Sequence, residues 1–300
     1  RKSPANDPVA FVVSSYARIS DMIVRGGRYG VFFQGASRCE AVRVYSMSNS
    51  VGFRGAAESL NSMTRCAAVR NTTGLENFTS GNSWDQGVLL DNTFAVSLST
   101  AAGLSISNSV ISGGTAYSLQ APLAGDYNAF FNTTVGGGFS SLYELQRTRT
   151  NSWNSSYFDP QFFNGTGLDF HPRSQAGRYD LATGAFVTSD TNYSRLIDFG
   201  DPARVYTNEP AFNGGRMNGS IFGDTGEASK SRSFDWLFAM SLNDGGQLSV
   251  GDSIYWMGAY PTGATVRVEF SSDSGGSWNA VASNLLASSG RYIWVSTNFS

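Results

Sequence analysis

The sequence predicts an all-β fold: a solenoid of stacked coils followed by a second, shorter β module. Three observations carry that expectation. Short runs of branched and aromatic residues recur about 16 to 25 residues apart with Gly, Ser and Asn between them, whereas helical periodicity is hard to find. One heptapeptide, Ser37-Arg38-Cys39-Glu40-Ala41-Val42-Arg43, reappears as Thr64-Arg65-Cys66-Ala67-Ala68-Val69-Arg70, as expected where equivalent residues stack. The 300 residues are 41% hydrophobic and 15% charged, with 34 Gly and 8 Pro. That composition builds a sizeable core and excludes a disordered or collagen-like chain.

The runs can be followed along the chain. Met22-Ile23-Val24, Val42-Arg43-Val44-Tyr45, Ala67-Ala68-Val69, Val88-Leu89-Leu90 and Leu104-Ser105-Ile106 each open a coil. Several are followed by a polar turn and another short strand, such as Tyr29 to Phe33, Asn49 to Phe53 and Thr115 to Leu119. Coils of this kind lie ~4.8 Å apart, the spacing of hydrogen-bonded strands. The formal charge of −2 gives no bulk attraction to nucleic acid, and no apolar run is long enough to cross a bilayer. The start at Arg1-Lys2-Ser3-Pro4, without Met, reads as a processed chain or a fragment.

Leu104-Ser105-Ile106-Ser107-Asn108-Ser109-Val110-Ile111-Ser112-Gly113-Gly114 resembles a coil of the right-handed parallel β-helix proteins, the pectate-lyase-like class. The likeness spans about residues 8 to 190 and implies a shaft of about six coils. Asp198-Phe199-Gly200-Asp201-Pro202, Asn208-Glu209-Pro210, Asn213-Gly214-Gly215-Arg216 and Gly226-Glu227-Ala228-Ser229-Lys230 resemble a block that closes β-helices in large secreted bacterial proteins. That implies an extracellular or cell-surface location. After Ser233 the texture alternates, in Gln247 to Trp256, Thr265 to Phe270 and Gly290 to Val295, and is similar to an immunoglobulin-like sandwich. Such a sandwich needs about seven strands in roughly 100 residues, so the 67 from Phe234 to Ser300 make it incomplete. The expected division is a parallel β-helix over 1–195, a capping or linker block over 196–232, and the immunoglobulin-like module over 233–300.

Candidate chemistry is sparse. If the repeat stacks Cys39 on Cys66, the pair forms either a disulfide between coils or two stacked buried thiols. The same stacking places Arg43 on Arg70, with Arg25 as a third rung, in a stripe suited to an acidic polysaccharide or simply a solvated face. In the pectate-lyase-like class, calcium held by carboxylates acidifies a proton that Arg or Lys abstracts. The acids here are scattered, and the weak catalytic alternative is Asp126, Glu144, Arg147, Arg149 and His171. His171, before Pro172, reads equally as a packing residue. Calcium is conceivable in the Asp-, Asn- and Gly-rich block 198–224, although a structural cap is favoured there and no metal ligand set is assigned. Ser271 to Trp278 matches an Asp-box, with Asp273 binding turn amides and Trp278 packing beneath. Asn71, Asn77, Asn132, Asn154, Asn164, Asn192, Asn218 and Asn298 head glycosylation sequons.

These features favour an extracellular structural or adhesive protein, self-associating into fibres or a surface layer. An open sandwich accepting a strand from a neighbour, with Ala5 to Val13 as donor, is the expected assembly device. The alternatives are a polysaccharide lyase or hydrolase acting on acidic glycans, and a glycan-binding module without catalysis.

Overall fold

A computed structural model of the chain describes residues 8–100, 103–118, 124–148 and 152–295. A parallel β-solenoid of about five turns runs through the first half of the chain. Each turn has three faces. The first and second belong to one 10-stranded sheet and the third to a 7-stranded sheet. Arg18–Arg25 and Glu40–Met47 run unbroken through the first two faces. In later turns the same path splits, as Ser62–Thr64 then Ala67–Val69, and Asn82–Asp85 then Val88–Leu90. The third face stacks Pro8–Val12, Tyr29–Gln34, Val51–Ala56, Thr73–Glu76, Phe94–Ser97, Thr115–Tyr117 and Thr134–Gly136.

The turn length is set by hydrogen-bonded partners about 22 residues apart, and the corners show why. Asp21, Arg43, Arg65, Gln86, Asn108 and Tyr127 stand at one corner with φ between 52° and 58°, each in the left-handed region. A second corner repeats the device with Gly26, Ser48, Arg70, Asp91, Gly113 and Asn132. Left-handed φ costs a non-glycine residue about 1–2 kcal/mol. It is tolerated because the corner amides keep the inter-turn ladder intact: Arg65 N–H donates to Asp85 O at 3.1 Å and Arg70 N–H to Leu90 O at 2.9 Å.

Inside the corners run side-chain ladders. Asn49 N–H donates to Asn71 Oδ1 and Asn71 N–H to Asn92 Oδ1, both at 2.9 Å. Their Nδ2 groups reach back to Val24 O at 3.3 Å and Ser46 O at 3.1 Å. Gly30 and Gly52 lie beside this ladder, where a Cβ would collide with Ser46 and Asn49 or with the Gly74 carbonyl. The lumen is filled by stacks such as Ala41–Met63–Trp84–Ile106 and Val31–Phe53–Leu75–Val96. Leu142 and Leu145 of the helix Leu142–Thr148 join the same core near Phe130 and Tyr117. This short helix is the one α-helix among the described residues, and the fold remains all-β as expected. Ser141 Oγ accepts from Glu144 N–H at 3.1 Å and Ser140 donates to the Glu144 carboxylate, a capping arrangement at its start.

The 22-residue turn corrects two readings that rest on the heptapeptide match, whose copies are 27 residues apart. Cys39 stacks on Asn61 and accepts no sulfur partner, while Cys66 stacks under Val44, and both are buried free thiols. Each replaces a ladder side chain at a different corner, Cys39 Sγ reaching Ser14 O at 3.2 Å and Cys66 Sγ reaching Ala41 O at 3.4 Å. Likewise Arg43 stacks on Asp21, bonding it at 2.5 and 2.8 Å, and Arg25 pairs with Met47. Arg70 stands at the other corner beneath Ser48, so the three arginines form no stripe.

Polarity separates the faces. On the first face the outward positions are mostly polar, Val42 being an exception, whereas the second face is apolar on both sides: Ala67, Val69, Val88, Val110 and Ala129 point outward and are buried. The rest of the chain covers them. Phe158, Phe170, Leu196, Phe199, Ile221 and Met240 form a second core against that outer surface. The block 196–232 therefore lies along the flank of the solenoid, touching Arg65, Gln86 and Asn108 on successive turns, and not across an end. The last solenoid strand is Ser156–Tyr157, short of the expected boundary at 195. Residues 158–195 instead contribute the antiparallel pairs Phe162–Asn164 with Asp169–Pro172 and Arg178–Asp180 with Ala185–Val187.

Beyond the flank, Trp236–Ala239, Ser253–Ala259 and Arg291–Ile293 form a three-stranded antiparallel sheet, and Thr265–Phe270 pairs with Asn279–Leu286. Asp273 accepts from Ser271, Ser277 N–H and Ser277 Oγ, which holds its carboxyl down at about 2. Trp278 lies against this turn, its Cζ2 3.8 Å from where a Cβ on Gly275 would stand, and stays 59% exposed. The expected donor segment is also committed: Pro8–Val12 pairs in parallel with Tyr29–Gln34 as the first rung of the third face, and Ala5 to Asp7 lie outside the described residues.

Replacing Asn71 by Ala orphans the buried Asn49 amide and the Ser46 carbonyl, each worth about 1–3 kcal/mol. Urea denaturation of Asn71→Ala is expected to show a loss of at least about 2 kcal/mol, against less than about 0.5 kcal/mol for the exposed Thr72→Ala.

Candidate functional site

The first face carries a groove. Its strands alternate Ser62-Met63-Thr64, Ser83-Trp84-Asp85 and Ser105-Ile106-Ser107, so the apolar residue enters the lumen and its polar neighbours face out. Parallel register aligns Ser62 with Ser83 and Ser105, and Thr64 with Asp85 and Ser107. Two rows of short polar side chains thus run along the solenoid axis, one step per turn. All of them except Ser62, with Asn108, Asp201 and Arg204, line a cleft of about 380 Å³.

The flank block forms its wall, and the corner residues hold that wall. Asn108 Oδ1 accepts from Asp201 N–H, and Asn108 O from Ser220 N–H, both at 2.8 Å. Gln86 Nε2 donates to Gly223 O at 2.8 Å, and Arg65 donates to Gly223 O and Asp224 O at 3.0 and 3.1 Å. Arg204 reaches from the wall to the floor and pairs with Asp85. On its other side lies a smaller cleft of about 320 Å³ bounded by Gln86, Val205, Met217 and Asp224. Arg204 is therefore the partition between two openings.

The wall is braced by buried carboxylates. Glu209 Oε1 accepts from Asn218 N–H at 2.7 Å and Asp224 N–H at 2.9 Å, while buried Oε2 has no hydrogen-bond partner. Burial outweighs those bonds and pushes the Glu209 carboxyl up to about 7. Asp198 accepts from Ser231 Oγ at 2.7 Å and Gly214 N–H at 3.0 Å, and burial raises it too. The acids of this block thus bind backbone amides and hydroxyls. Among the described residues, no group of three or more His, Cys, Asp or Glu is placed to hold a metal ion.

Among the described residues, the members of the weak catalytic alternative are each engaged by other partners. Glu144 and Arg147 meet at a separate cleft of about 510 Å³ with Asp244 and Gln247, but Glu144 caps its helix through Ser140, which holds its carboxyl low. Asp244 accepts from Leu142 N–H at the same helix end, and Arg147 lies 3.8 Å from Asp252. Asp126 is bound by Asn154 Nδ2 at 2.7 Å and Tyr127 N–H at 2.8 Å, and burial raises it. His171 is fully buried on the flank, stacked on Phe222 at 3.5 Å with Nδ1 2.6 Å from Asp169. Burial alone would raise Asp169, but the His171 bond wins and holds it low. Arg149 lies outside the described residues.

The sequons also separate. Asn71 and Asn218 are buried with both amide atoms bonded, so they cannot carry a glycan in the folded chain. Asn77 and Asn192 are half-buried, and Asn132, Asn154 and Asn164 are exposed; Asn298 lies outside the described residues. The groove residues were harder to find in the sequence. Asp85 was visible as a scattered acid, and the Ser-x-Ser/Thr alternation was its only local signal, but nothing local joins it to Arg204, 119 residues later. Comparison with protein-family models, curated proteins and solved structures finds no match to this chain.

Two outcomes check this geometry. Glu209 in the folded chain holds its proton up to about 7, whereas the unfolded chain releases it near 4.5. Stability from this group is therefore present below 4.5 and lost as pH rises through 7, and urea midpoints should fall across that window in the parent and fall less in Glu209→Gln, where the buried Asp198 and Asp126 still contribute. Mass spectrometry after iodoacetamide should find neither cysteine modified in the native chain and both modified after denaturation. Both are buried, and burial pushes the Cys66 thiol up to about 12.

Proposed function

We propose that this chain is part of an extracellular adhesive protein that holds a polysaccharide along the first face of its solenoid. The observation that carries the reading is the pair of aligned rows, Ser62–Ser83–Ser105 and Thr64–Asp85–Ser107, walled by Arg204. The rows advance ~4.8 Å per turn. That step is close to the length of one sugar ring in an extended chain, so successive hydroxyls of a linear glycan meet successive turns. Short hydroxyl and amide groups on a rigid sheet bind with little loss of side-chain entropy. The reading favours binding over turnover because Asp85, the carboxylate on the floor, is engaged by Arg204. It also takes the two small C-terminal sheets as an immunoglobulin-like module. Their contact through Phe270 and Trp294, and Trp256 Nε1 donating to Ala287 O at 2.8 Å, support that assignment.

Affinity electrophoresis and calorimetry with neutral galactomannan and dextran and with acidic polygalacturonate and alginate test the proposal. Retention by at least one polymer is expected, with a loss of about tenfold in Ser83→Tyr, which fills the groove, and in Arg204→Ala; a tenfold loss is about 1.4 kcal/mol. Failure to bind any of the four sinks the reading. Formation of new reducing ends or unsaturated uronates would replace it with the lyase or hydrolase alternative.

A further inference from the structure

A second surface, distinct from the groove, is built where the flank meets the C-terminal sheet. Trp236 and Phe238 alternate onto one face of the strand Trp236–Ala239, with ring centroids 4.7 Å apart. The Arg232 guanidinium lies 5.1 Å from the Phe238 ring, 5.5 Å from Trp236 and 5.1 Å from Tyr193. Arg195 stands 4.7 Å over Phe238 from the other segment, and Phe234 packs edge-on to Tyr193 at 5.7 Å. Four rings and two guanidiniums thus form one continuous platform.

Three features distinguish it from an ordinary cation–aromatic contact. Neither arginine has a carboxylate within ion-pair distance among the described residues. Arg232 Nη2 is spent on Tyr193 O and Ser194 O, at 3.4 and 2.8 Å, but its buried Nη1 has no hydrogen-bond partner. Aromatic surface also remains open: Phe234 is 55% exposed, and Trp236 and Phe238 are half-buried. Of the nearby acids, Asp198 acts on Arg232 through space but forms no ion pair with it, and its Oδ1 is taken by Ser231 and Gly214. Asp235 is exposed on the strand's approach.

We infer that this platform binds acidic sugar residues, the uronic acid or sulfated units of a polysaccharide. The apolar C–H face of a pyranose ring matches a flat aromatic surface, and the exposed Arg195 guanidinium offers the fork that matches a carboxylate or sulfate in two parallel bonds, while Arg232, its Nη2 spent and its Nη1 buried, adds positive charge to the platform. Ring-stacked arginines are already oriented, so little freedom is lost when the anion arrives. A nucleic acid fits less well, because the chain carries a formal charge of −2 and offers no extended basic field for the phosphate backbone. The inference stands independently of the groove: the platform selects by charge, and the groove by hydroxyl spacing.

The test titrates the full chain with polygalacturonate, its methyl-esterified form and a single-stranded oligonucleotide, following tryptophan fluorescence and calorimetry. Polygalacturonate should bind and weaken with added salt, and Trp236→Ala and Arg195→Gln should each lose about tenfold, with Trp236→Phe recovering most of it. Unchanged circular dichroism and melting keep the loss assigned to the surface. Equal binding by both variants, equal binding of the esterified polymer, or tighter binding of the oligonucleotide would overturn the inference. If Arg204→Ala abolishes polygalacturonate binding while Trp236→Ala does not, the platform fails and the groove reading stands.

Discussion

Asn49, Asn71 and Asn92 occupy one corner of three successive turns, and the amide of each donates to the side chain of the next. This stacking is the constraint on which the rest of the molecule depends. A parallel solenoid has no hairpin to set register, so the corner must set it. A buried asparagine can supply both an acceptor and a donor to the preceding turn, as Asn71 does to the Asn49 amide and the Ser46 carbonyl, and any slip leaves both unpaired in a low-dielectric interior. The same logic recurs with Asn61 and Asn82, and with Ser109 and Asn128, so the register is held at more than one corner.

With register fixed, the polarity of each face decides what the remainder of the chain does. The second face presents Val69, Val88 and Val110 outward, and the transfer free energy of those side chains, about 1.5–3 kcal/mol each when fully buried, draws residues 158–257 onto it. The first face presents Ser, Thr and Asp, which lose nothing by staying in water. Its groove is therefore a by-product of an asymmetric solenoid: one face is covered, and the edge of the cover walls its neighbour. The left-handed corner residues Arg65, Gln86 and Asn108 complete the join, because φ near 52–55° turns their side chains out toward the cover.

The coils were legible in the sequence because short apolar runs bounded by Gly, Ser and Asn are a local signal. The runs without alternation, Ala67-Ala68-Val69 and Val88-Leu89-Leu90, carried more than that: strands apolar at every position are covered on both sides. The heptapeptide match misled. Its two copies straddle different corners, so similarity of residues did not mean equivalence of position. A solenoid repeat is specified by the hydrogen-bonding step between turns, and a few shared side chains do not measure that step.

The sequence by itself determined the class of fold, since a chain of short β runs with small polar corners can bury its apolar residues in few ways other than by stacking. It also determined that charge is scarce and that no acid cluster recurs from coil to coil. Only the tertiary structure decided which turn lies on which, that Cys39 and Cys66 stand apart, that the block 196–232 lies along the flank, and that Arg204 meets Asp85. The reason is physical. Pairing between neighbouring turns is written in local periodicity, whereas the docking of a distant segment depends on the outer face that the finished solenoid presents.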